Sequence, residues 1–294
     1  MLTSTFDEFI ENALKEDIGD GDHTSQACIP GDAVGMAQLL VKEEGILAGV
    51  EVAACIFARL DPEMQIEVIR HDGDHVKPPE IAFIVQGKVL ALLKAERLVL
   101  NIMQRMSGIA TTTRQYVERL NGLKTRILDT RKTTPGMRML EKEAVRIGGG
   151  HNHRFGLYDM ILIKDNHIDF TGDIPGAIAR VKDYLEKTNR KLKIEIEARN
   201  LRDVGRIMDT GGVDRIMLDN FTPEDTRKAV EMIAGRFETE SSGGITLENL
   251  RDYAECGVDY ISVGALTHHI KSLDLSLKAV NYKPDESGPA HLYL

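Results

Sequence analysis

The chain has 294 residues, of which 42% are apolar, so it can bury the core of one large or two modest domains. Its formal net charge of −9 argues against nucleic acid as a partner, because phosphate-backbone binding needs a broad basic surface. No apolar run is long enough to span a bilayer, and residues 1–19 are acidic where a secretory signal would be cationic. The three cysteines, Cys28, Cys55 and Cys256, are widely separated, which favours reduced thiols. We therefore expect a cytoplasmic protein that binds neither membrane nor nucleic acid.

The first third of the chain mixes helical and strand patterns. FDEFIENALKED predicts a helix, and IGDGDHTS after it predicts a surface turn. Three segments predict strands, with a helix over VEVAACIFARL between the first two: MAQLLVKEEGILAG, MQIEVIRHDGDHV and EIAFIVQGKVLALL. This pattern predicts an N-terminal α/β sandwich. A long amphipathic helix over residues 95–122 then leads into a second domain.

The second half repeats short apolar runs that end in polar residues or glycine and are separated by helical stretches. The runs are RILDTRKTTPG, MILIKDNH, KIEIEARN, RIMLDN, ETESSGGI and YISVGAL. Successive βα units of this kind predict a parallel sheet that curves toward a barrel. We accordingly divide the chain into a sandwich domain (1–112), an open α/β barrel (113–280) and a tail (281–294) that is expected to pack on the first domain or to fray.

Active sites of such barrels lie at the carboxyl ends of the strands, so functional groups at these ends predict an enzyme. Six polar residues fall there: Arg131, Lys132, Lys164, Glu197, Asp219 and Ser242.

Alternation along the strands places several charges inside the barrel. In KIEIEA the two isoleucines share one face, which leaves Glu195 and Glu197 on the other. Burying an unpaired charge costs roughly several kcal/mol of folding free energy. These acids therefore need a lysine, an arginine or a bound cation beside them. Deeper acids, namely Glu195, Glu238 and Glu240, fit an internal salt-bridge network at least as well as a functional role. At the mouth, Lys164, Glu197 and Asp219 favour function.

Two glycine turns follow late strands. Ser242, Gly243 and Gly244 come directly after one strand and are predicted to precede a helix, and Gly264 ends the next strand. Exposed backbone N–H groups at such turns favour an anion, and the pair of turns predicts a phosphate site.

The segment GGGHNHRFGLYD contributes two histidines and an arginine just before the strand that contains Lys164. An HxH pair can bind zinc, but no further ligand follows at a familiar spacing, so a substrate loop is the preferred interpretation. Arginine matches carboxylates in a bidentate way. Together, four cations suit a small ligand with several negative charges: Arg131, Lys132, Arg154 and Lys164.

These motifs resemble those of the quinolinate phosphoribosyltransferase family over nearly the whole chain. The most specific are DTRKTTPG, HNHR and IKDNH, and the resemblance continues through IMLDN, SSGGI and SVGALTH. It implies a type II phosphoribosyltransferase fold, an N-terminal α/β sandwich with an open α/β barrel, built as homodimers or assemblies of dimers. It also implies the reaction of quinolinate with 5-phosphoribosyl 1-diphosphate (PRPP), which gives nicotinate mononucleotide, pyrophosphate and CO2 and requires Mg2+. The family commonly has GDITS where this chain has GDHTS.

The resemblance further implies roles for individual residues. The quinolinate-binding set is Arg131, His153, Arg154 and Lys164, with Lys132 shared between the two substrates. Arg97 resembles the arginine that is lent to the neighbouring subunit's site. Glu197 and Asp219 resemble the acids that contact the ribose hydroxyls and the associated magnesium. The phosphate-binding turns are Ser242, Gly243, Gly244 and Gly264.

The mechanistic hypothesis is that Glu197 and Asp219 stabilise positive charge at the ribose C1 atom, with Lys132 as a third catalytic group. The cationic set orients the acceptor, and the alkylated pyridinium then accepts the electrons released by decarboxylation. Two alternatives remain open: a paralogous pyrophosphorylase of the same fold with a different acceptor, and a non-enzymatic barrel that senses phosphorylated metabolites.

Overall fold

The computed structural model describes residues 4–280, and the chain forms two compact units. The described part of the first unit comprises residues 4–107 and 272–280, and the second unit comprises residues 108–271. In chain order the elements up to the end of the long central helix are α1 (Ser4–Ile18), α2 (His23–Cys28), β1 (Val34–Val41), β2 (Gly45–Ile46), α3 (Val50–Leu60), β3 (Gln65–Val68), β4 (His75–Val76), β5 (Ile81–Lys88) and α4 (Val89–Arg119).

The remaining elements alternate strand and helix. They are β6 (Arg126–Leu128), α5 (Arg138–Ile147), β7 (Ile161–Ile163), α6 (Asp165–Thr171), α7 (Ile174–Lys187), β8 (Ile194–Ala198), α8 (Leu201–Thr210), β9 (Arg215–Asp219), α9 (Pro223–Ile233), β10 (Glu238–Ser242), α10 (Leu250–Ala254), β11 (Tyr260–Ser262), α11 (Ala265–His268) and β12 (Leu275–Val280).

The first unit is built on an antiparallel four-stranded sheet in the order β12-β1-β5-β3, with β2 and β4 as a separate pair. Its core forms where α3 meets the sheet. Phe57 of α3 and Phe83 of β5 are both fully buried and meet edge to face, with ring centroids 6.0 Å apart. This agrees with the predicted α/β sandwich.

The second unit is a six-stranded parallel sheet in the order β6-β11-β10-β9-β8-β7. The two end strands of that order, β6 and β7, do not pair, so the barrel is open as predicted. Every residue of β8 is buried, because its isoleucines and its glutamates both face packed surroundings. All six strands run in the same direction, so their carboxyl ends meet at one rim.

The structure corrects several predicted boundaries. α2 begins inside the predicted turn, because the Asp22 carboxylate accepts a hydrogen bond from the Ser25 N–H at 3.0 Å and caps the helix. The strand predicted to reach residue 93 ends at Lys88, where α4 begins. The units divide at residues 107/108 where the sequence predicted 112/113.

The largest difference concerns the end of the barrel domain, predicted at residue 280. Residues 275–280 form β12, which pairs antiparallel with β1 and so belongs to the first unit. The predicted tail, residues 281–294, lies outside the described residues. Among residues 4–280, none of the helices combines the length and the apolar character needed to cross a bilayer.

Candidate active site

A cavity of about 740 Å³ opens in the barrel unit at the carboxyl ends of the strands. Its lining includes all the predicted site residues of that unit: Arg131, Lys132, His153, Arg154, Lys164, Glu197, Asp219, Ser242, Gly243, Gly244 and Gly264. The remaining predicted residue, Arg97, is exposed on α4 in the first unit and does not line this cavity. The sequence-predicted cations and acids therefore share a single space.

Lys164 and Glu197 form an ion pair at the rim. Lys164 follows β7 directly and precedes α6, and its Nζ donates to Oε1 of Glu197 at 2.6 Å. Oε2 of the same carboxylate accepts the Asp165 N–H at 3.2 Å. The Glu197 side chain is only 7% exposed, so both of its oxygens need these partners.

Asp219 ends β9 and is half-buried. Burial raises the pKa of this carboxyl, and the neighbouring negative charge of Glu197 raises it further. The Asn220 side-chain amide donates to Asp219 Oδ2 at 2.8 Å, which partly offsets both effects. Two acids thus lie near each other at the rim, and their negative charge favours binding of a positively charged group.

Arg131 and Arg154 also line the cavity and contribute positive charge to it. The Nε of Arg131 is buried and has no hydrogen-bond partner among residues 4–280. Burial lowers the pKa of Arg154, and the charge of Arg131 lowers it further, yet an arginine stays protonated at neutral pH. Two like charges with unused donors favour a multiply charged anion between them.

His153 lines the same cavity, and both of its ring nitrogens are directed at protein atoms. Its Nδ1 accepts the Arg154 N–H at 2.7 Å, so the proton of the neutral ring belongs on Nε2. Nε2 lies 2.9 Å from Glu195 Oε2 and 3.6 Å from Glu240 Oε2. Burial is the main reason that the pKa of His153 is lowered. The ring is therefore neutral at pH 7, and the Nδ1 bond to the Arg154 N–H sets its orientation.

The floor of the barrel is the internal salt-bridge network that was one of the two sequence interpretations. Arg215 Nη1 donates to Glu240 at 2.8 Å and its Nη2 donates to Glu238 at 3.2 Å. The guanidinium also lies 4.0 Å from the centre of the Tyr260 ring. Burial raises the pKa of Glu240 to about 8, with the charge of Glu195 as the next cause.

Three floor residues have a geometry that a cation could use. One ligand atom from each of His153, Glu195 and Glu240 lies within 4.8 Å of the others. Arg215 already supplies positive charge to these acids. We therefore interpret the three-residue cluster as structural and not as a metal site.

The glycine turn after β10 needs glycine for steric reasons. Gly243 has a φ of +96°, and a Cβ there would clash with the Asn220 side chain and lie 3.0 Å from the Asn220 backbone nitrogen. The helix expected directly after Gly244 begins only at Leu250 and has five residues. The prediction of a helix dipole at this turn is therefore wrong, and only the N–H groups of the turn itself remain available to an anion.

Sequence reasoning missed four residues that organise the site: Asp129, Lys142, Arg215 and Asn220. Strand alternation could have predicted that Arg215 faces the barrel interior, because it lies two residues before Met217 and four before Asp219, which both face inward. Asp129 stands within the DTRKTTPG motif, but its partner Lys142 lies on α5, and no local pattern joins the two.

Known proteins similar to this chain agree with the two-domain architecture. Residues 22–107 match the N-terminal domain of quinolinate phosphoribosyl transferase and residues 109–278 match its C-terminal domain. The chain is 44% identical over 286 residues to a mitochondrial quinolinate phosphoribosyltransferase [decarboxylating] of Nicotiana tabacum, covering 92% of this chain and 81% of the relative. It is 45% identical over 270 residues to a probable nicotinate-nucleotide pyrophosphorylase [carboxylating] of Bacillus subtilis, covering 92% of each.

Solved structures of similar proteins share this architecture. The nicotinate-nucleotide pyrophosphorylase of Francisella tularensis superposes with a TM-score of 0.86 at 40% identity, covering 93% of this chain and 95% of that one. The enzyme of the same name from Ehrlichia chaffeensis gives a TM-score of 0.88 at 37% identity, covering 95% and 100%.

An antiparallel sheet unit joined to an open parallel barrel, with cations and acids around one rim cavity, defines a phosphoribosyltransferase of the α/β-barrel type. The chain belongs to the quinolinate phosphoribosyltransferase family. This membership confirms the enzyme class and the reaction expected from the sequence: phosphoribosyl transfer from PRPP to quinolinate with decarboxylation, a step of NAD biosynthesis.

Proposed function

We propose that both substrates of this reaction bind side by side in the barrel cavity. The observation that supports this is that one cavity of about 740 Å³ is lined both by cations, which follow or precede β6 and β7, and by acids, which lie at the ends of β8 and β9. We refer to these two groups of residues as the cationic side and the acidic side. On the cationic side, Arg131, Arg154 and Lys164 bind the two carboxylates of quinolinate, as arginine forks commonly do. On the acidic side, Glu197 and Asp219 bind the ribose hydroxyls. The turns at Gly243 and Gly264 bind the phosphates, and Lys132 lies between the substrates.

The residues then promote transfer by orientation and charge. Holding both carboxylates directs the ring nitrogen toward C1 of the ribose. The nitrogen lone pair forms the new bond while the C1–oxygen bond breaks and pyrophosphate leaves with its electron pair. Positive charge that develops at C1 is stabilised by Glu197 and Asp219. The adjacent carboxylate then leaves as CO2, its bonding electrons pass to the pyridinium, and the vacated carbon takes a proton from solvent.

The acidic side also fits the magnesium ion that the sequence resemblance implied. Mg2+ prefers hard oxygen ligands and is commonly held by one or two carboxylates together with substrate phosphates. Glu197 has both oxygens engaged by Lys164 and the Asp165 N–H, whereas Asp219 has one bond, to Asn220. We therefore propose that Asp219 would hold the ion together with the substrate phosphates and that Glu197 would act mainly through the ribose. When bound, magnesium screens the charge of the leaving pyrophosphate.

One assay tests the substrate assignment. The protein is mixed with PRPP and either quinolinate or nicotinate, with and without Mg2+, and CO2 and mononucleotide are measured. We expect both products from quinolinate with Mg2+ and little product from nicotinate, which has one carboxylate fewer to fill the cationic side. Equal turnover of nicotinate would contradict the two-carboxylate site, and full activity in a chelator would contradict the role of magnesium.

We further propose that the active form is a homodimer in which Arg97 completes the partner's cavity. Its exposure on α4 supports this, because an exposed guanidinium with no ion pair among the described residues can reach another chain. If Arg97 acts across the interface, equal mixing of inactive Arg97→Ala and Glu197→Gln chains regenerates one intact site in each mixed dimer, or about a quarter of the wild-type activity. Mixing Arg97→Ala with an Arg97→Ala/Glu197→Gln chain is the control and should restore nothing. Failure of the first mixture, with mixed dimers verified by mass, would refute the proposal.

A cytoplasmic location remains our proposal. It is supported by Cys28, Cys55 and Cys256, which are all free thiols. Three plant relatives are named mitochondrial and two chloroplastic, so fractionation of the source cells with an antibody is the deciding measurement.

A further inference from the structure

A fully buried ion pair lies behind the loop that presents His153 and Arg154. Asp129 follows β6 directly and its side chain is 0% exposed, while Lys142 lies on α5 and is 2% exposed. Lys142 Nζ donates to Asp129 Oδ1. Neither residue lines the cavity.

This pair holds the backbone of His153 from both sides. Asp129 Oδ1 accepts the His153 N–H at 2.9 Å, and Lys142 Nζ donates to the His153 carbonyl oxygen at 3.1 Å. The preceding residue is held as well. In the orientation that satisfies its amide, Asn152 donates to Asp129 Oδ2 at 2.7 Å and to the Lys142 carbonyl oxygen at 2.9 Å.

Stability alone does not account for such a pair. Removing two charges from water costs about as much as their attraction returns, so a buried ion pair can often be replaced by apolar residues without loss of stability. The pKa of Asp129 is raised and that of Lys142 lowered, in both cases chiefly by burial, which agrees with a large desolvation cost. What an apolar pair would lack is one donor and one acceptor at fixed positions on either side of a single residue.

The backbone of His153 sets the directions of two side chains that line the cavity. The His153 ring is tied to the Arg154 N–H through Nδ1, and the Arg154 guanidinium is held more loosely, at 3.4 Å from the Met160 carbonyl oxygen. A shift of the His153 peptide would therefore move both side chains relative to the cavity. The cavity's acidic side lies on β8 and β9, to which neither Asp129 nor Lys142 is hydrogen-bonded in the described chain.

We propose that Asp129 and Lys142 are positioning residues for the acceptor, which hold His153 and Arg154 in the place that quinolinate requires. This inference rests on the proposed assignment of Arg154 to quinolinate. It predicts a selective defect: binding of the acceptor weakens, while binding of PRPP does not.

The test is steady-state kinetics of Lys142→Met, which removes the donor to the His153 carbonyl oxygen at similar length. We expect the KM for quinolinate to rise about 10- to 100-fold, as for other small displacements of a site, while the KM for PRPP stays within about twofold. Ile233→Ala is the control. Ile233 on α9 is fully buried and does not line the site, so its truncation leaves a cavity in the core away from the substrates. It should lower Tm and leave both KM values unchanged.

Lys142→Met leaves the buried charge of Asp129 unpaired, which destabilises the fold, so a second variant that avoids this charge is needed. The double variant Asp129→Asn/Lys142→Met buries no unpaired charge and retains an acceptor for the His153 N–H, and it is judged by the same two KM values if the single variant does not fold. A normal quinolinate KM in the folded variant, or equal increases in both KM values, would overturn the positioning role.

Arg154→Ala separates this result from failure of the assignment itself. If Arg154→Ala raises the quinolinate KM and the Lys142 variants do not, the positioning role alone is wrong. If Arg154→Ala leaves that KM unchanged, the assignment of Arg154 to quinolinate is wrong and the inference fails with it.

Discussion

Lys164 Nζ lies 2.6 Å from Oε1 of Glu197, so the cation that follows β7 neutralises the acid near the end of the neighbouring β8. Each residue is assigned to a different substrate. Under the proposed assignment, a quinolinate carboxylate that draws on Lys164 would release part of the Glu197 charge toward the ribose. The ion pair is a direct electrostatic connection between the two halves of the cavity.

Replacing Glu197 with glutamine should lower kcat by about 100- to 1000-fold, the range seen when one group that stabilises developing charge is removed. Glutamine keeps the size of the side chain and an acceptor for the Asp165 N–H, so the effect reports on charge. Rapid-quench measurement of nicotinate mononucleotide formation gives the rate of the chemical step. Asp209→Asn, an exposed acid on α8, is the matched control and should turn over normally. Normal turnover of Glu197→Gln would exclude its electrostatic role.

Replacing Arg131 with lysine should weaken quinolinate binding about tenfold or more, because lysine keeps the charge and loses the planar donor fork. The buried, unpartnered Nε of Arg131 is the donor at stake. Calorimetry with quinolinate and with nicotinate should show a larger loss for the dicarboxylate. Arg126→Lys, an exposed position at the start of β6, controls for the substitution itself. Equal losses for both ligands would argue against a bidentate contact.

Replacing Gly243 with alanine should raise the KM for PRPP at least about tenfold, because the added methyl group collides with Asn220 and distorts the turn. Gly235→Ala isolates the backbone contribution. Gly235 also has a positive φ, +73°, but a Cβ there meets nothing within 4 Å. That variant should lose about 1–2 kcal/mol of stability and keep its KM. An unchanged PRPP KM in Gly243→Ala would remove this turn from the phosphate site.

Glu240 should make the protein less stable as the pH rises from 7 to 8. Its pKa is raised from 4.5 to about 8 in the folded chain, so over this range the folded state holds a proton that the unfolded state has lost. Stability then falls with pH, by at most about 1.4 kcal/mol per pH unit for one proton. His153, whose ordinary value is 6.5 and whose folded pKa is lower, contributes little above pH 7.

Urea unfolding at pH 7.0, 7.5 and 8.0 measures this slope. Glu240→Gln should reduce this slope, and what remains comes from other groups whose pKa is shifted by burial, Glu195 among them. Glu238→Gln, on the same strand but about one-third exposed, should retain the wild-type slope. A slope that is unchanged in Glu240→Gln would show that Glu240 is ionised throughout this range.

The features that could be predicted from the sequence were those that depend only on a short segment of the chain. Period-two alternation placed Glu197 and Glu195 inside the barrel, and the ends of parallel strands gathered Lys164 and Asp219 at one rim. These inferences need only the residues of one strand and the rule that such strands run in the same direction.

Contacts between distant segments were not predictable in this way. The Asp129–Lys142 pair joins a strand end to a helix, and nothing in either segment indicates that both side chains turn inward. Asp22 was taken as part of a turn, because a carboxylate that caps a six-residue helix has the same local composition as one in a loop. The long helix was predicted to begin at Ala95, but α4 begins six residues earlier, at Val89, within a predicted strand, because VLALL is apolar in either period.

The pairing of β12 with β1 means that the first unit needs the last described strand of the chain. During synthesis, the ribosome releases β1, β3 and β5 well before residues 275–280 emerge, so the edge of β1 stays bare while the barrel is being made. A fragment that stops after the barrel would keep that edge exposed and be prone to aggregate through it. Ribosome-associated factors that shield unpaired strands are thus expected to matter for the yield of this protein until residues 275–280 have been translated.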